Sequence, residues 1–285
     1  MKATRAIAVV LMAALLGFPG LSSSQTKKAD ASIEFLVASA RAPAGSEDLG
    51  VQWLKVSAPS LGEMLLAVAK PPGKGPFPTI LLLHGTHGFA REYVQLAHSL
   101  AHEGVQAVAA CWFSGGTGSG VKFIKPLGCP DAPPMPAHMS EGSRKVLAVL
   151  VPAIRSLAGT RPGAIALFGH SRGAGTVLNY TLTTGDASAL MLNSSGYPPE
   201  LAGRITELKA PILILHGVAD SPSEGGSEMT NIQMARNFEA AVRRAGKPIE
   251  AHYYEAGHNG LFANRAQAED TVRRISGFLK HCDQR

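Results

Sequence analysis

Short apolar runs recur along the chain, each nearly free of charge and each followed by residues with helical spacing. Thr79-Ile-Leu-Leu-Leu83 is the plainest; Gln106–Cys111, Ala164–Phe168, Ala187–Leu192 and Pro211–Leu215 repeat the pattern. Continuous rather than alternating hydrophobicity is what a strand covered on both faces should show. Between them, Ala90–His102, Ser140–Leu157, Gly173–Leu182, Met229–Ala245 and Ala266–His281 carry helical periodicity, with Ser140 placed as a cap. Strands are also expected at Met64–Ala69, stopped by Pro71-Pro72-Gly73, and at Ile249–Tyr254. Weaker edge strands are expected near Ile33–Ala38 and Val51–Val56. Strand and helix in alternation imply parallel neighbours joined by crossovers, and so an α/β fold: a doubly wound, mostly parallel sheet with helices on both faces. Functional residues in such a sheet are expected just beyond the carboxyl ends of the strands.

One segment breaks the alternation. Residues 112–138 are rich in Gly and Pro without periodicity, which predicts a long loop of the kind that shapes or covers a site. Trp112, Phe113 and Phe123 would either line its mouth or pack beneath it. The N-terminus also departs from the pattern. Lys2 and Arg5 precede a nearly unbroken apolar stretch, Ile7 to Phe18, with small residues Ser22 to Ser24 after it, as in an export signal. The stretch is short for a membrane span. The expected organisation is therefore a signal over residues 1–24 and one domain over 25–285, in a periplasmic or secreted protein.

Composition supports a single globular core, with 45% hydrophobic and 17% charged residues in a chain of 285. The net charge of +6 falls to +4 once the signal takes away Lys2 and Arg5, and no basic run or basic-aromatic stripe is present. Nucleic acid is accordingly not expected as a partner. Export would put the cysteines where disulfides persist. Cys111 and Cys129 flank the flexible segment Ser114–Gly120, where a cross-link would remove unfolded-state entropy, and a Cys111–Cys129 bridge is expected. Cys282 is left over. No Cys/His spacing resembles a zinc site, and His84 and His87 have no carboxylate or thiol spaced with them; no metal or cofactor is expected.

The chemistry concentrates after the strands. Gly169-His170-Ser171-Arg172-Gly173 follows Ala164–Phe168 and opens a helix. A serine hydroxyl is exposed there only by a sharp turn, and glycines two residues to either side, Gly169 and Gly173, let strand and helix approach it. The alternative is a Gly-rich turn whose serine only caps the helix. Serine needs a base, and the base a third group to orient it. In this arrangement the chain order is nucleophile, acid, histidine. Among His216, His252, His258 and His281, only His258 falls in a loop just past the last strand. For the acid, Asp220 stands a few residues beyond the Leu215 strand end and is preferred to Glu224 and Glu228. Backbone donors for a developing oxyanion are expected at Arg172, at the helix start, and at Thr86 in the turn His84-Gly85-Thr86-His87-Gly88.

Taken in order, His84-Gly85 after a strand, Gly-His-Ser-Arg-Gly, Leu-His-Gly-x-x-Asp and Ala-Gly-His resemble the dienelactone hydrolase-like branch of the α/β-hydrolases over residues 60–280. The resemblance implies Ser171, Asp220 and His258 as a catalytic triad and a small-molecule ester or lactone as substrate. Authentic dienelactone hydrolases have cysteine at the position of Ser171, a glutamate in the segment matching His84–Gly88, and arginines for the substrate carboxylate. Here one such position is Phe262 and the other falls in Cys-Trp-Phe-Ser-Gly. These departures favour a more general carboxylic esterase. Two alternatives remain: a peptidase of prolyl-oligopeptidase type, ranked lower because no propeller-sized region precedes the catalytic part, and a catalytically silent binding protein on the same scaffold.

Overall fold

A computed structural model describes residues 34–116 and 124–282, so the expected signal at 1–24 and Phe123 lie outside the described residues. Among the described residues nine strands form one sheet: β1 (Leu36–Ser39), β2 (Gln52–Ala58), β3 (Gly62–Ala69), β4 (Thr79–Leu83), β5 (Gln106–Ala110), β6 (Ala166–His170), β7 (Leu190–Asn193), β8 (Ile212–Gly217) and β9 (Ile249–Tyr254). Their spatial order is β1-β2-β3-β5-β4-β6-β7-β8-β9. The pairs β1–β2, β2–β3 and β3–β5 are antiparallel, and every pair from β5 to β9 is parallel. The unbroken apolar runs are the central strands. Every residue of β4, β5, β6, β7 and β8 is buried, whereas β9, at the edge, is half exposed.

The helices are α1 (Arg91–His102), α2 (Glu141–Arg155), α3 (Arg172–Thr184), α4 (Pro199–Gly203), α5 (Ile232–Arg244), α6 (Gly260–Ala263) and α7 (Arg265–Cys282). Two cores lie on opposite faces of the sheet. One collects Leu147 and Leu150 of α2, Val177 of α3 and Phe238 of α5 against Leu81, Leu167 and Ile214. The other collects Tyr93 and Leu100 of α1 and Ile275 and Phe278 of α7 against Ile80, Phe168 and Leu213. Alternate residues of one strand thus feed opposite cores, as period-two side-chain geometry requires.

Several boundaries moved for local reasons. Ser140 does cap α2, its Oγ accepting from Ser143 N at 3.3 Å. The helix expected from Met229 begins instead at Ile232: Asn231 takes extended backbone and its side chain accepts from Gln233 N at 2.8 Å. Residues Glu228–Thr230 form a separate 3-10 turn. Strand β6 runs two residues further than expected, to His170, so no slack separates it from Ser171. The described part of 112–138 holds neither helix nor strand beyond isolated bridges, one joining Ser114 to Pro134. Trp112 and Phe113 pack beneath it at 0% exposure rather than lining a mouth.

Candidate active site

Ser171 occupies the single residue between β6 and α3, at φ 53° and ψ −119°. A non-glycine residue at positive φ is strained, and such strain persists only where the surroundings enforce it. Here they do. Ser171 N donates to Asn193 O at 2.8 Å, continuing the β6–β7 ladder, while Ala174 N already donates back to Ser171 O at 2.9 Å. The sharpness of the turn explains both flanking glycines. A Cβ on Gly169 would stand 2.2 Å from the Gly173 carbonyl carbon, and one on Gly173 would stand 2.6 Å from Leu83 O.

Asp220 and His258 come from the loops after β8 and β9. Gly217, at the end of β8, abuts the carbonyl oxygens of Ala256 and Gly257, and Ala219 N donates to Ala256 O at 3.0 Å, so the two loops travel together. His258 Nδ1 donates to Asp220 Oδ2 at 2.8 Å, and both residues are buried. The other carboxylate oxygen accepts from Thr230 Oγ1 at 2.8 Å, and His216 Nε2 lies 3.3 Å from Oδ2. Burial works to raise the Asp220 pKa, but the bonds from His216, His258 and Thr230 outweigh it and hold the group at about 2. Asp220 is therefore an anion at neutral pH. His258 Nδ1 bound to it leaves Nε2 as the nitrogen free to act as a base. Glu224 and Glu228 are exposed and take no part. His252 lies on β9 with its Nε2 3.0 Å from the guanidinium of Arg274 on α7, apart from this group.

Among the described residues Ser171 Oγ has no hydrogen-bond partner, so Asp220 and His258 are joined while Ser171 and His258 are not. In substrate-free hydrolases that contact commonly tightens only in the complex. Ser171 lines a cleft of about 230 Å³ with Thr86, His138, Arg172, Ser195 and Met229. Arg172 Nε donates to Thr86 Oγ1 at 3.2 Å and its Nη1 to Pro136 O at 3.0 Å, so this side chain straps the turn after β4 to the long loop. The first amides of α3 have no acceptor inside the helix and face the serine side with the helix dipole behind them. Cys111 and Cys129 are bonded, with Cα atoms 6.6 Å apart, and tie the long loop to the end of β5.

Behind the serine lies a buried group of rings that motif reading missed. His170 Nδ1 donates to Asn193 Oδ1 at 2.6 Å, and its ring lies 4.9 Å from that of His258 and 5.4 Å from that of His87. Burial drives the His170 pKa well down, and the nearby His258 and His87 add to that; His87 is lowered to about 4, again mainly by burial. These imidazoles are neutral. Asn193, Thr230 and Tyr93 carry no motif, because their roles exist only once the strands are side by side.

A model of the dienelactone hydrolase family matches residues 65–281. The chain belongs to the dienelactone hydrolase family. It is accordingly a hydrolase. Phe262 packs with its ring 4.9 Å from that of Tyr93. Solved structures share the fold. An esterase of Pyrococcus furiosus superposes with a TM-score of 0.62 at 13% identity, covering 86% of this chain and 98% of the other. Est1E from Butyrivibrio proteoclasticus gives 0.58 at 14%, covering 82% and 99%. An acylaminoacyl peptidase of Pyrococcus horikoshii gives 0.54 at 14%, over 78% of this chain but only 39% of the longer peptidase. No curated protein sequence matches. Among the described residues no helix is long and apolar enough to cross a membrane, and no cluster of side chains suits a metal ion.

Proposed function

We propose that this family member hydrolyses a small carboxylic ester or lactone through an acyl-enzyme on Ser171. The observation that carries the reading is the strained Ser171 backbone at the head of α3, together with a histidine, His258, already bound to a buried carboxylate. In the first step His258 Nε2 takes the Ser171 proton as Oγ bonds to the substrate carbonyl carbon. The oxygen that becomes negative is received by the amides of Thr86 and Arg172. Collapse breaks the bond to the alcohol, which leaves with the proton from His258. A water then gives its proton to His258 and attacks the acyl carbon, and the acid departs as the proton returns to Ser171. Asp220 remains ionised throughout and stabilises the transient imidazolium.

We also propose that the chain is exported. The charged and apolar pattern of residues 1–24 and the Cys111–Cys129 bridge both suit an oxidising compartment. The test of the catalytic reading is hydrolysis of p-nitrophenyl esters graded by acyl length, beside peptidyl amides, with Ser171→Ala as control. Ester turnover that disappears in Ser171→Ala is expected. Amide turnover without ester turnover would overturn the ester reading.

A further inference from the structure

The turn that supplies Thr86 is built from residues with little stiffness of their own. Gly88 N donates to Gly85 O at 3.1 Å, which puts Thr86 and His87 at the two central positions of a tight turn whose closing bond uses neither of their amides. Two of its four residues are glycines. Behind it stands Tyr93, in the first turn of α1, with 0% exposure. Its hydroxyl accepts from Gly85 N at 3.0 Å and lies 2.9 Å from His87 Nε2. The Gly85 N–H donates, and among the described residues His87 Nε2 is the acceptor within reach of the phenolic proton, an arrangement that goes with the neutral Nδ1–H tautomer of His87. The two rings stack with centroids 5.6 Å apart and an interplanar angle of 26°.

A phenylalanine would fill the same volume. Burying a hydroxyl costs free energy unless it is bonded, and both bonds of this one go to the two neighbours of Thr86. We propose that Tyr93 is a positioning residue for the oxyanion site: its hydroxyl clamps Gly85 and His87 so that the Thr86 amide is held facing the Ser171 adduct. This rests on the acyl-enzyme reading given above. Tyr93 itself touches neither substrate nor reacting atoms. The clamp fixes the turn from behind, while Arg172 holds the Thr86 side chain from the front.

The experiment is Tyr93→Phe in the full chain. A donor displaced by a fraction of an ångström acts on the transition state more than on the bound ester, so kcat should fall about 10- to 100-fold with KM changed less than about twofold. Affinity for a trifluoromethyl ketone, whose hemiketal oxygen occupies the oxyanion position, should weaken by the same factor as kcat/KM. The pH dependence of kcat should stay in place, because His258 and Asp220 are untouched. A kcat within twofold of the parent, or a lowered melting temperature with unchanged ketone affinity, would overturn the proposal. If Tyr93→Phe does not accumulate, His87→Leu decides: it removes the acceptor of the phenolic proton, along with the imidazole's stacking on Tyr93, and should lower kcat and ketone affinity together, in smaller measure. Unchanged kcat in that variant overturns the proposal as well. Ester hydrolysis that survives Ser171→Ala overturns the acyl-enzyme reading itself, and this one with it, whatever Tyr93→Phe does.

Discussion

Replacing Asp220 by Asn separates its charge from its shape. The amide has nearly the size of the acid and resembles its protonated form, so the substitution should cost what protonation costs in the folded state. A carboxyl held at about 2 against an ordinary 3.8 corresponds to about 2–3 kcal/mol, and Asp220 is only 2% exposed, so solvent does little to screen the effect. A lowered folded-state pKa gives stability that is complete above the unfolded value, near pH 4, and is lost as pH falls through about 2. Urea unfolding at pH 7 should therefore find Asp220→Asn less stable by about 2–3 kcal/mol. The gap should narrow steadily below pH 4 and close near pH 2. Turnover should drop by about 10³-fold or more, because the imidazolium on His258 loses its counter-ion. Equal stability of the two proteins at pH 7, or a gap that does not change between pH 5 and pH 2, would refute the claim that the three donors outweigh burial.

Ser171→Gly should abolish ester turnover and yet stabilise the fold by about 1–2 kcal/mol, since φ 53° with ψ −119° is strained for serine and open to glycine; a destabilised variant in urea unfolding would contradict the strain. Gly169→Ala should cost about 3 kcal/mol or fail to accumulate, because its Cβ would stand 2.2 Å from backbone that cannot retreat; a loss under about 1 kcal/mol speaks against the close approach. Replacing both Cys111 and Cys129 by Ser should lower stability by about 3 kcal/mol, the loop-entropy value for a separation of 18 residues, read by unfolding under non-reducing conditions. No difference from the oxidised parent would mean that the bridge constrains nothing.

Residue type alone revealed what depends on local backbone and on burial. The apolar runs marked the central strands because a strand covered on both faces has no polar side to display, and β9 was found with its bounds unchanged. Gly169, Ser171 and Gly173 were legible because one turn imposes all three. Asp220 was chosen over Glu224 and Glu228 by its distance from a strand end, and it is the carboxylate bonded to His258. The bridge of Cys111 to Cys129 followed from their flanking of a flexible loop. What escaped was either short or purely spatial. Helices α4 and α6 are too brief to show a period, and the start of α5 was set by the Asn231 cap rather than by hydrophobic spacing. His216, within β8, stands 3.3 Å from the Asp220 carboxylate, a pairing that its place in a buried strand does not announce. Thr230 reaches that carboxylate from ten residues further along the chain, and Tyr93 serves a turn preceding its own helix. Neither pairing leaves a trace in spacing.

The central claim, that Ser171 is the nucleophile, is tested most directly by mapping a fluorophosphonate adduct by mass spectrometry. The account predicts one adduct per chain, on Ser171, and none in Ser171→Ala. Labelling undiminished in Ser171→Ala, or an adduct mapped to another residue of the active parent, would contradict it.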